Sequence, residues 1–121
     1  MSKNVPRKRP TIFAFQVNIP AEFDPISFLN ISLTAMAHVM GQYKVKEIHF
    51  IRLEATTAVR IRTEDQLYMS KRRNLVDQLL AGTQTMGGVT YELCEETSEK
   101  VKTLFRERER VDPRSVHTFQ V

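Results

Sequence analysis

The order of alternating and periodic segments predicts an α+β fold, a ferredoxin-like βαββαβ two-layer sandwich with an extra C-terminal helix. Three observations carry that expectation. Residues 11–19 and 58–63 alternate apolar and polar side chains, the pattern of strands buried on one face. Helical segments follow both of these strands, each closed by a glycine at its expected end. The chain has 121 residues, 41% hydrophobic and 26% charged, which suits one domain around one core. Four units follow: a flexible basic arm at 1–10, an α+β core domain at 11–95, a charged C-terminal helix at 96–110 and an extended tail at 111–121.

The arm, MSKNVPRKRP, has two prolines and no apolar period. In TIFAFQVNI, residues 11–19, Thr11, Phe13, Phe15, Val17 and Ile19 share one face while Ile12, Ala14, Gln16 and Asn18 share the other. Asp24 then serves as an N-cap, with Pro25 at the first helical position, and the helix is expected to run to Met40 and stop at Gly41. Its apolar set is broad. Ser27, Asn30, Thr34 and His38 form a single narrow polar stripe, and no charge occurs from Pro25 to Tyr43. Those polar residues also argue against a transmembrane span.

Residues 44–54 read as a second strand whose imperfect alternation points to a bulge or to partial burial on both faces. After the third strand, a helix over 65–81 would bury Tyr68, Leu75, Val76, Leu79 and Leu80 and end at Gly82. A competing parse makes TEDQ a turn, QLYMS a short strand and Ser70 the N-cap of a helix starting at Lys71, giving a βαβββαβα order with a three-stranded meander. A last strand is expected at 89–95, with Val89, Tyr91 and Leu93 on one face, and a helix at 97–110 with the apolar strip Val101, Leu104 and Phe105. In the ferredoxin-like arrangement the first and third strands are central, both helices cover one face, and the other face lies open. That open face would show Gln16 and Asn18 beside Arg60 and Arg62.

Charge is unevenly placed. The formal net charge is +4. Lys3, Arg7, Lys8 and Arg9 supply +4 in the arm, and residues 44–73 hold eight basic and four acidic side chains. The remaining segments are net acidic. Arg60, Arg62, Lys71, Arg72 and Arg73, with the arm, are therefore the candidate contacts to nucleic-acid phosphates. Base stacking on the open face is not expected, because Ile12, Ala14, Gln16, Asn18, Arg60 and Arg62 include no aromatic residue.

Catalytic and metal signatures are missing. His38, His49 and His117 have no ligand spacing, and Cys94 sits beside Glu95 and Glu96, which disfavour a thiolate. TMGGVT has neither a dinucleotide fingerprint nor a P-loop lysine. Glu47 and His49 share a strand face and make the one acid–base pair worth naming. No cofactor and no metal site are expected.

An uncharged helix on a two-layer domain needs a cover, either another subunit or the terminal helix. Ser27, Asn30, Thr34 and His38 are the candidate interface on it, and Val116 and Phe119 are apolar positions on a tail able to add to a partner's sheet edge or fill its groove. The expectation is a non-enzymatic binding and assembly protein, self-associating or docking into a larger complex, with RNA or DNA backbone contact. A dedicated RNA- or DNA-binding regulator is the alternative. A small dimeric α+β-barrel enzyme using His49 and Glu47 is the third class. The single cysteine and the lack of a signal-peptide pattern fit a cytoplasmic protein with no membrane partner.

Overall fold

The computed structural model describes residues 10–18, 38–53, 56–81 and 88–120, with residue 119 by its backbone. The fold is α+β. Strands β1 (Thr11–Asn18), β2 (Val45–Arg52), β3 (Thr56–Thr63), β4 (Thr90–Leu93) and β5 (Val116–Gln120) form one antiparallel sheet in the order β4-β1-β3-β2-β5. Helix α1 (Met69–Leu79) lies between β3 and β4, and α2 (Ser98–Val111) lies between β4 and β5. Residues 38–43 are also helical. The first and third strands are central neighbours, paired from Thr11 opposite Thr63 to Asn18 opposite Thr56.

Alternation along β1 divides two cores. Phe13, Phe15 and Val17 join Val59 and Ile61 of β3 and Val45, Ile48 and Phe50 of β2, and this face is covered by Val39 and by Leu75, Val76 and Leu79 of α1. A register shift between Val45 and Glu47 is the bulge that the irregular alternation predicted. Its consequence is a change of phase. Val45 and Ile48 face the same core although three positions apart, which sends Glu47, His49 and Ile51 to the opposite face.

That opposite face is not open. Ile12, Ala14, Ile51 and Ala58 pack there against Val101 and Phe105 of α2, with Leu53, Cys94 and Val116 at the margin. The Ser98 hydroxyl donates to the Ile12 carbonyl at 3.2 Å and fixes the near end of α2 on β1. Thr97 caps the helix by accepting from the Lys100 N–H. The sheet is thus sandwiched between helices. The reason lies in β1 and β3 themselves: Ile12, Ala14 and Ala58 leave an apolar surface on the second face that water would not tolerate.

The tail is structured as well. Asp112 accepts from the Arg114 N–H and from the Ser115 hydroxyl, a 3₁₀ turn over Pro113–Ser115 follows, and β5 then pairs with the free edge of β2. β5 was expected as an extended tail; the edge it closes comes from a strand some seventy residues earlier.

Neither parse of residues 64–70 is correct. The Thr63 hydroxyl donates to the Asp65 carbonyl at 2.6 Å, and the Leu67 N–H donates to the Thr11 hydroxyl at 2.7 Å. These bonds hold the chain out of helix until Tyr68, an extended N-cap, and α1 begins at Met69. Gly41 does not stop the preceding helix either. That role falls to Lys44, which takes φ 52°, while its carbonyl accepts from the Glu64 N–H at 3.0 Å. The expected start at Asp24 and Pro25 and the expected stop at Gly82 lie outside the described residues.

Phe105 is 4% exposed and Leu104, next to it, is 40% exposed. Truncating Phe105 to Ala is expected to cost about 3–5 kcal/mol in urea-unfolding stability, and truncating Leu104 to Ala no more than about 0.5 kcal/mol. Equal losses would show that α2 is not seated through Phe105.

Candidate nucleic-acid interface

The basic residues named from the sequence fall into three environments. Arg60 is the most enclosed. It projects from β3 beneath α2, its Nη2 lies 2.8 Å from Glu47 Oε1, and its guanidinium carbon sits 5.5 Å from the centre of the Phe105 ring. Gln120 of β5 donates to the other Glu47 oxygen at 3.4 Å. Burial by itself would raise the Glu47 carboxyl, but the Gln120 hydrogen bond and the Arg60 guanidinium, with Arg62 beyond, hold it below its ordinary value. Arg62, half-buried on the same face of β3, stands opposite Ile12 on one side and Glu47 on the other. Arg60 is therefore absorbed into the sheet–helix contact, and Arg62 acts on the same Glu47 carboxylate.

His49 belongs to this cluster and not to an acid–base pair with Glu47. Its Nδ1 is 2.7 Å from the Thr118 hydroxyl of β5, and its ring meets Phe105 edge-on at 5.7 Å. Nε2 approaches Glu109 Oε1 of α2 at 2.8 Å, but the ring N–H is not aligned for a hydrogen bond. Burial first, then the Arg60 charge, pushes the imidazole below its ordinary value, against the upward pull of Glu109 and Glu47. A histidine 4% exposed beneath a helix holds α2 and β5 on the sheet and offers no face to a substrate.

Arg72 occupies a second environment. Its Nε donates to the Leu67 carbonyl at 2.9 Å and its guanidinium covers the Phe13 ring at 5.6 Å. It fixes the start of α1 on β1.

Lys71 and Arg73 make up the third environment. Both are exposed on α1, and the lysine ion pairs among the described residues go elsewhere: Lys44 to Asp65, Lys46 to Glu64, Lys100 to Glu96 and Lys102 to Glu99. Asp77, one turn after Arg73, accepts instead from the Tyr91 hydroxyl at 2.7 Å. Burial, that bond and the Asp77 charge push the Tyr91 phenol up to about 12, against the opposing charge of Arg73. The first turn of α1 has no acidic residue, and its N-cap has no side-chain hydrogen bond. Cations at this end oppose the helix dipole by about 0.3–1 kcal/mol each, so positive potential accumulates there. Beside them stand Tyr68 and Met69, 73% and 43% exposed. Periodicity had placed Tyr68 in the core. The Ser70 capping signal of the competing parse was the one indication that it stands outside the helix.

The arm residues Lys3, Arg7, Lys8 and Arg9 lie outside the described residues, as do Ser27, Asn30 and Thr34. His38 is exposed. Val116 packs against the second core and Phe119 lies in β5 opposite Ile48. Because α2 occupies the other face of the sheet, it does not cover the described end of the uncharged helix. Burial raises the half-buried Cys94 thiol, with Glu96 and Glu92 adding to the rise against Arg108. Among the described residues no group of three or more His, Cys, Asp or Glu could hold a metal ion, and no helix is long and apolar enough to cross a membrane.

No family model and no curated protein matches the sequence. Among solved structures, the chain is similar to a REP-associated tyrosine transposase bound to a REP hairpin, at 11% identity and a TM-score of 0.45, over 85% of this chain and 68% of that one. That neighbour is a transposase, and against it the expectation of a non-enzymatic protein is not upheld. A likeness of this depth assigns neither reaction nor catalytic residue to the chain.

The burial of His49 sets a pH dependence. A histidine whose folded value lies below 6.5 contributes stability that is present above 6.5 and is lost as pH falls toward the folded value. Urea unfolding between pH 7.5 and 5 is expected to show this decline, and the His49→Gln variant is expected to show a flatter profile whatever its absolute stability. An unchanged profile in the variant would assign the decline to other groups.

Proposed function

We propose that the chain binds nucleic acid mainly through phosphates, at a surface that carries Lys71 and Arg73 on α1, with the sequence-identified cations Lys3, Arg7, Lys8 and Arg9 as further phosphate contacts. One observation carries this reading: two exposed cations stand on an acid-free helix end with no carboxylate ion pair among the described residues, while the neighbouring carboxylate of Asp77 is engaged by Tyr91. Cations left in this state gain most from a polyanion, because binding releases the counterions condensed on it. Arg72 supports the surface from within by covering Phe13, while Arg60 and Arg62 act on Glu47 on the opposite face of the sheet, where Arg60 also meets Phe105. We read β1 to β4 as a ferredoxin-like unit, to which α2 and β5 are added on the second face and the outer edge.

The expected behaviour distinguishes adjacent residues. Replacing Lys71 and Arg73 together by Ala should weaken oligonucleotide binding on the order of tenfold at 0.1 M salt and reduce the log–log salt slope by roughly 1 to 2. Replacing Arg72 by Ala should instead lower the unfolding midpoint. Fluorescence anisotropy across a salt series reads the first effect and thermal unfolding the second; unchanged affinity in the double variant would exclude α1 as the contact.

A further inference from the structure

We infer that the nucleic acid held at this surface is single-stranded, with one base stacked on Tyr68. The inference rests on the phosphate-contact reading above and adds the class of strand. Tyr68 is 73% exposed and immediately precedes α1, so Lys71 and Arg72 follow it at three and four positions, the spacing of neighbours on a helix surface. Met69 and Arg73 repeat the four-residue spacing on the same turn. An aromatic ring beside exposed cations matches what a single strand presents, a flat base and a flanking phosphate. In a duplex the base faces are stacked on one another and out of reach, so the ring would have nothing to cover.

The platform is also rigid, which separates it from an aromatic residue on a fraying loop. Leu67 is tied to Thr11 through its N–H, and its carbonyl holds Arg72, which in turn lies on Phe13. The Arg72 N–H bonds the Tyr68 carbonyl at 2.9 Å. Leu67 and Arg72 are thus fixed to β1, and the backbone that carries the ring has little conformational entropy left to lose when a base stacks.

The chain contains no tryptophan, so a Tyr68→Trp variant carries one reporter at the proposed stacking position. Binding of a single-stranded oligonucleotide and of a duplex of equal length is measured for the wild type, Tyr68→Ala and Tyr68→Trp, with far-ultraviolet circular dichroism to check the fold. The expected result is a loss of roughly 5- to 150-fold for single strands with Tyr68→Ala, little change for duplex, and retained affinity with quenched emission for Tyr68→Trp. If Tyr68→Ala leaves single-strand affinity unchanged while the Lys71 and Arg73 double variant loses it, stacking is overturned and the phosphate reading stands. Absence of binding to either strand form overturns both. Equal competition by poly-glutamate overturns the inference in favour of an acidic protein partner.

Discussion

The seating of α2 on the second face of the sheet is the constraint on which the rest depends. Ile12, Ala14, Ile51 and Ala58 create an apolar surface, and Val101 and Phe105 close it. Phe105 does more than fill space. Its ring receives Arg60 on its face and meets His49 edge-on, so one aromatic side chain orders both the cation and the imidazole of the buried polar cluster. Once α2 is in place, the turn at Asp112 directs the chain along the outer edge of β2, where Thr118 and Gln120 reach His49 and Glu47. The helix, the edge strand and the polar cluster therefore form one cooperative unit.

That unit sorts the positive charge. Arg60 and Glu47, each with a side chain 16% exposed, satisfy one another in a site where an unpaired charge would be strongly unfavourable. Arg72 is drawn onto Phe13 by the same logic on the opposite face of the sheet. Lys71 and Arg73 remain outward because they flank Arg72 on a helix, where adjacent positions point about 100° apart. A run of three basic residues thus contains one structural arginine and two exposed cations. Composition counts them as equal, and only their neighbours tell them apart.

A comparable division holds for the polar groups around the start of α1. Thr11 and Thr63 are buried, and each supplies a hydroxyl to the backbone of the 64–68 segment. These bonds delay the helix to Met69 and leave Tyr68 extended and facing solvent. Two threonines at the meeting ends of β1 and β3 thereby decide where an aromatic residue five positions past β3 is displayed.

Local chemistry is what the sequence alone determined. The period-two alternation of β1 and β3, the bulge in β2, the capped charged helix and the apolar sides of α1 all arise from neighbours within a few residues, and each can be read from spacing. The strip Val101, Leu104 and Phe105 was legible as apolar, and two of its three residues are buried. Tertiary structure alone decided which surface that strip covers, that β5 completes the edge of β2, and that Arg60 belongs to Glu47 while Lys71 and Arg73 stay exposed. Those outcomes depend on contacts between residues from 13 to 86 positions apart, whose free energy appears only when the sheet is assembled. Tyr68 shows the boundary between the two. Periodicity assigned it to a buried helix face, and hydrogen bonds from distant β1 and nearby β3 residues moved the helix start to Met69, just past it, because a buried hydroxyl must find a partner.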